Sequence, residues 1–115
     1  MKLNQLLDEY KKMATICNNV DYADKKSVKQ NNRAVGTMYK IVDTIILEFG
    51  AEGSNEFEKL IEFKQDGTDV WASIHLLEKM EVEPKIEKKA LDIIREEAQN
   101  SIGMDYWLKE YIAKK

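Results

Sequence analysis

Apolar residues return every three or four positions along almost the whole chain, and nowhere do they alternate over a β-branched run between turn signals. Leu3, Leu6, Leu7, Tyr10, Met13, Ala14 and Cys17 fall on one stripe of a helix predicted over about 2–18 and closed at Asn18-Asn19. Val28, Asn31, Val35, Met38, Tyr39, Val42, Ile45, Ile46 and Phe49 make a longer stripe, which predicts a helix over about 25–49, capped by Asp24 or Ser27 and stopped by Gly50. After a Gly50–Gly53 loop, Ser54 caps a short helix with Phe57, Leu60 and Ile61 inward and Glu58 and Glu62 stacked outward, ending by Gln65-Asp66-Gly67. Asp69 reads as the N-cap of a helix over about 70–80, with Val70, Trp71, Ile74 and Leu77 inward. Pro84 suits the first turn of a helix over about 84–98, where its missing N–H costs nothing. The stripe of that helix, Ile86, Ala90, Leu91, Ile93, Ile94 and Ala98, is too wide for a single neighbour. Gly103 separates it from a last helix over about 104–114 carrying Met104, Trp107, Leu108 and Tyr111. The fold class expected is all-α, with no sheet.

About six helices joined by short loops pair as antiparallel neighbours. At 115 residues and 13.4 kDa the chain has room for one domain, 1–115, large enough to bury about two-thirds of its unfolded surface. Cys17 is the one cysteine, which excludes an internal disulfide or a multi-cysteine metal site and points to a reducing compartment. The longest apolar run, Ile45-Ile46-Leu47, is far short of the ~20 residues of a bilayer span. Residues 1–13 are broken by Asn4, Gln5, Asp8 and Glu9 and lack the apolar stretch of a signal peptide. A soluble, cytoplasmic protein is the expectation.

Charge is spread unevenly. Residues 1–41 carry eight Lys/Arg and four Asp/Glu, hence +4; residues 42–83 carry three Lys against eleven acids, hence −8; residues 84–115 carry seven and six, hence +1, returning the net −3. Acids and bases interspersed for solubility alone would not concentrate this way, and clustered like charge opposes compaction. In an antiparallel stack the loops after the 25–49 and 70–80 helices lie on one edge. Glu48, Glu52 and Glu56 from the first and Glu78, Glu81 and Glu83 from the second are therefore expected to form one acidic, partner-binding rim.

From Asp69 the chain reads Asp-Val-Trp-Ala-Ser-Ile-His-Leu-Leu, followed by Pro84, Ala90-Leu91 and Ile94. This resembles a HEAT-type repeat: a capping Asp, Val, a small pair in Ala72-Ser73, a Leu pair, a Pro-started second helix and an Ala-Leu motif. With Asn32-Arg33, Gly50 and the closing Leu108-Lys109-Glu110-Tyr111 after Gly103, residues 25–112 resemble a family of small bacterial HEAT-like proteins known only as a domain of unknown function. The resemblance implies a short, right-handed HEAT-like α-solenoid in which the 25–49 and 54–65 helices form a degenerate repeat and the last helix a cap. It also implies immunity partners of bacterial toxins among the members, and no enzyme. The sequence departs from the pattern at Trp71, where such repeats usually carry Arg, at Ser73 in place of a second Ala, and at Tyr111 where the family tends to have Trp. The first departure removes a cation and acidifies the region further.

The catalytic inventory is poor. His75 sits mid-helix beside Leu76, Cys17 lies on an apolar stripe, and a nucleophile needs a hydrogen-bonded base and an orienter. The pairs Glu58/Glu62 and Glu96/Glu97 read as solvated helix faces, and one His with surface-spaced acids is no zinc ligand set. No catalytic residue, cofactor or metal is expected. Tyr39, Phe49, Phe57, Phe63, Trp71, Trp107 and Tyr111 read mainly as core, with one exposed ring as a possible anchor. The expected function is a non-catalytic protein-binding module, an immunity protein whose acidic rim occludes the basic active-site groove of a cationic toxin domain, a nuclease by charge logic. Two alternatives stand beside it. Lys11, Lys12, Lys25, Lys26, Lys29, Arg33 and Lys40 could serve a nucleic-acid-associated accessory protein, although the pI near 5.3 argues against that partner. A self-associating structural module could stack through its first or last helix.

Overall fold

The computed structural model describes residues 1–114. Five α-helices dominate the described chain: α1 (Leu3–Asn18), α2 (Lys25–Glu58), α3 (Thr68–Lys79), α4 (Pro84–Ala98) and α5 (Ile102–Ala113), with 3-10 turns at Lys59–Glu62 and Gln65–Gly67 between α2 and α3. There is no strand among the described residues, as expected. The shortest dimension, 23 Å, fits two helix diameters and therefore two layers.

The sequence predicts six helices, and the difference lies at Gly50. There φ is 53° and ψ −131°, a conformation open to glycine, and the helical run bends without an intervening loop. Ala51 to Glu58 continue as a second arm of α2, so Ser54 sits inside a helix instead of capping one. The bend is tight. A Cβ placed on Gly53 would stand 2.7 Å from Ile45 Cγ2 and 2.9 Å from the Ile45 carbonyl oxygen, eight residues back, where a straight helix would hold them about 12 Å apart.

Two other boundaries shift. α3 begins at Thr68, preceded by Gly67 at φ 72°, so Asp69 lies in its first turn instead of capping it and faces Lys64 at 3.7 Å. α5 begins at Ile102, with Ser101 Oγ accepting from the Met104 N–H, so Gly103 is within the helix. Pro84 opens α4 as expected, and Asp24 caps α2 by accepting from the Lys26 N–H at 3.0 Å.

Leu6, Tyr10, Ala14 and Cys17 of α1 meet Ala34, Met38, Ile41, Val42 and Ile45 of α2, Phe57, Leu60 and Ile61 beyond the bend, and Ala72 and Leu76 of α3. A second cluster joins Ile74, Ile94 and Leu108 of α3, α4 and α5. α4 has two neighbours, α3 and α5, as its broad stripe predicts. The most enclosed helix is α3, which buries Thr68, Asp69, Ala72, Ser73, Ile74, His75 and Leu76.

Candidate partner-binding site

The bend at Gly50 gives the acids their arrangement. It turns the second arm of α2 so that Ala51, Ser54, Asn55 and Glu58, spaced i, i+3, i+4 and i+7, face the connection between α3 and α4. That connection runs extended from Met80, which is buried, to Glu83, and the fixed φ of Pro84 starts α4 immediately after it. Together they line an open groove of about 420 Å³, with Glu58, Glu81 and Glu83 among its walls and Lys85, Ile86 and Lys89 along the side given by α4. The Glu58 carboxyl is held above its ordinary range by partial burial and, after that, by the charge of Glu83.

The six expected rim acids separate into four groups. Glu81 and Glu83 line the groove. Glu48 and Glu52 are exposed on either side of the bend and do not line it, while Glu56 pairs with Lys59 on its own turn at 3.1 Å. Glu78 belongs elsewhere: its carboxylate accepts from the Tyr39 hydroxyl and the Trp107 indole N–H, both at 2.9 Å, and so ties α2 and α5 to the end of α3. Glu58 is the groove residue that the sequence pattern placed on an outward face with Glu62; Glu62 is exposed as expected and pairs with Lys89 at 3.6 Å. The i, i+3, i+4, i+7 series from Ala51 to Glu58 is a signal for it once Gly50 is taken as a bend.

His75 lies at the centre of the molecule. It is fully buried, with the Tyr10 hydroxyl 2.5 Å from Nδ1 and the rings of Tyr10, Tyr39 and Trp71 around it. Burial holds the Tyr10 phenol protonated and His75 neutral, so the two share a hydrogen bond at Nδ1, while Nε2 is buried with no hydrogen-bond partner. Burial lowers His75 to about 4, against smaller upward pulls from Glu78 and Asp43 and with a downward push from Lys79. Burial pushes the Cys17 thiol up, the direction opposite to an activated nucleophile. No group of three or more metal-ligating side chains occurs among the described residues.

The basic amino-terminal residues lie on two helices. Lys11 sits over the Phe63 ring at 4.4 Å and Lys12 lies 3.9 Å from Glu9, whereas Lys25, Lys26, Lys29, Arg33 and Lys40 share the first arm of α2. Of the aromatic set, Phe57 is fully buried, and Trp107 stacks on Tyr111 with ring planes 7° apart. The exposed rings are Tyr22 and Tyr106, which lie outside that set. No helix of the described residues is long and apolar enough to cross a membrane. In comparison with known proteins, the chain matches no family model, no curated protein and no solved structure.

Proposed function

We propose that the protein is a non-catalytic binding module that receives a cationic segment of a protein partner in the groove between the second arm of α2 and the α3–α4 connection. The observation that carries this reading is the crowding of Glu58 and Glu83, whose mutual repulsion helps to hold the Glu58 carboxyl up. A guanidinium or ammonium entering beside them would relieve that repulsion and gain charge-assisted hydrogen bonds. Exposed acids at Glu48 and Glu52 would add to the field that draws such a segment in, an effect on encounter rate that salt weakens.

In its finer form the reading is immunity: a short, right-handed HEAT-like solenoid in the cytoplasm that covers the basic, nucleic-acid-cleaving groove of a toxin. An acidic groove competes for such a surface by the same field that attracts the toxin's substrate. Occlusion needs no chemistry from the inhibitor.

The test uses the wild-type protein and an E58Q/E81Q/E83Q variant of matched helicity as baits at low and high salt, with captured proteins identified by mass. Wild type should retain a basic toxin domain that salt releases, and the variant should lose it. Equal capture by the variant, or recovery of nucleic acid alone, overturns the assignment.

A further inference from the structure

α2 is charged against its own dipole. All five of its cations, Lys25, Lys26, Lys29, Arg33 and Lys40, precede residue 41, and all five of its acids, Asp43, Glu48, Glu52, Glu56 and Glu58, follow residue 42. Its first turn holds no acid and its last turn no base. A helix carries partial positive charge at its N-terminus and negative at its C-terminus; the bend at Gly50 ends the dipole of the straight arm, where Lys25 and Lys26 in the first turn and Glu48 in the last oppose it, with the Asp24 cap as relief at the N-terminus.

The straight arm, 25–49, places the reversal on one exposed face. Lys29, Arg33, Gly36, Lys40, Asp43 and Leu47 fall within an arc of about 80° at the helical turn angle, on the side opposite the buried Ala34, Met38, Ile41, Val42 and Ile45. Asp43 reaches Lys79 at 3.7 Å yet stays 60% exposed, and no ion pair holds Lys25, Lys26, Lys29, Arg33 or Lys40 among the described residues. On the acidic half of this face Leu47 is 87% exposed, and on the basic half Gly36 has no atom within 4 Å of where a Cβ would stand.

We propose that this face binds a second copy of the chain, with the two α2 helices antiparallel about a two-fold axis between Ile41 and Val42. In that register Lys40 of each copy meets Asp43 of the other, Arg33 lies beside Glu48, and Leu47 covers the open backbone at Gly36, each contact occurring twice. The cation-rich N-terminal half of one straight arm then lies along the C-terminal half of its partner, which carries Asp43 and Glu48, so the charge order that opposes the dipole within one chain favours it across the pair. A nucleic-acid strand following Lys25 to Lys40 fits less well, because the same face continues directly into Asp43 and the exposed Leu47. The proposed contact is independent of the groove at Glu58, Glu81 and Glu83.

Sedimentation at about 0.02 M and about 0.5 M salt tests this directly. At low salt the mass should rise with concentration from 13.4 kDa toward twice that value, and added salt should reverse it. Lys40→Glu and Asp43→Lys should each weaken association about tenfold or more, because the two-fold axis turns two attractions into two repulsions. Mixing these two variants should restore association as a heterodimer. In it the two substituted side chains face each other with opposite charge, and the native Asp43 of one chain faces the native Lys40 of the other. Leu47→Lys should also weaken the pair, and circular dichroism checks that every variant keeps its helicity. A mass fixed at 13.4 kDa, variants that associate like wild type, or a mixture that stays monomeric overturns the proposal. So does duplex DNA binding that Asp43→Lys strengthens while the mass stays that of one chain.

Discussion

Burial displaces both His75 and Glu58 from their solution behaviour, but in regions of different construction and with opposite consequences in acid. His75 is closed in by Tyr10, Tyr39 and Trp71 and stays neutral down to about pH 4. Glu58 is partly open to solvent beside Glu83 and keeps its proton to higher pH than a free carboxyl. For the histidine, the unfolded chain takes up a proton from about pH 6.5 downward while the folded chain does not, so stability falls as pH drops from 6.5 to about 4. For the glutamate, the folded chain takes up its proton first, so stability rises as pH drops through its raised value toward 4.5. The core group is tuned for packing in one charge state. The groove group is left with an unmet charge, as a binding surface requires.

The largest expected effect breaks the enclosed side of this comparison. The shift of His75 corresponds to about 3 kcal/mol lost across its window. Tyr10→Phe should cost about 1–3 kcal/mol at pH 7, because it strips Nδ1 of its hydrogen-bond partner in a fully buried site. His75→Leu should cost a comparable amount by orphaning the Tyr10 hydroxyl, but it should abolish the acid slope. The double variant removes both polar partners and should be less destabilised than the two single losses added together. Urea unfolding of the four proteins at pH 7 and pH 5 measures the cycle. A wild-type slope that persists in His75→Leu would assign the acid sensitivity to another group.

The next effect concerns the bend that creates the groove. Gly53→Ala would put a methyl group 2.7 Å from Ile45 Cγ2 and 2.9 Å from a backbone oxygen that cannot swing aside. The second arm of α2 must then move off Ile45, at about 1–3 kcal/mol. Unlike the Tyr10 and His75 changes, this one should also disturb Glu58, because the arm that carries it shifts. Carboxyl resonances followed by NMR should move in Gly53→Ala and stay in place in Tyr10→Phe. The same carboxyl position in both variants would mean that the groove does not depend on the close approach at Gly53.

What the sequence made legible follows the same division. The stripes of α1 and the first arm of α2 could be read from spacing, since Leu6, Tyr10, Ala14 and Cys17, and Met38, Val42 and Ile45, need only local periodicity to find their faces. Pro84 likewise marks the start of α4, because its fixed φ acts locally. Gly50 is ambiguous for a physical reason: a glycine at positive φ ends one helix and bends another with equal ease, and only Gly53 packing on Ile45 decides between them. That one ambiguity moves Glu58 from an outward face into the groove. Glu78 leaves the expected rim because its carboxylate is held by Tyr39 and Trp107, residues 39 and 29 positions away on other helices. His75 reads from sequence as a packed or surface histidine, and its enclosure depends on Tyr10, 65 residues distant.

The smallest effect sharpens the open side. Glu58→Gln keeps the shape of the side chain and removes the charge that Glu83 opposes, so the folded chain should gain at most about 1 kcal/mol at pH 7, solvent screening having already reduced the repulsion. A further consequence separates this change from a general surface effect. The small offset that Glu58 gives wild type against the acid loss should vanish, leaving a steeper loss governed by His75. A groove built for packing would lose stability when Glu58 is neutralised, because its hydrogen bonds or ion pairs would go; a groove that holds unmet charge gains. Thermal unfolding of wild type and Glu58→Gln at pH 7 therefore discriminates by sign alone, and a clear loss in the variant would remove the electrostatic argument for a cationic partner.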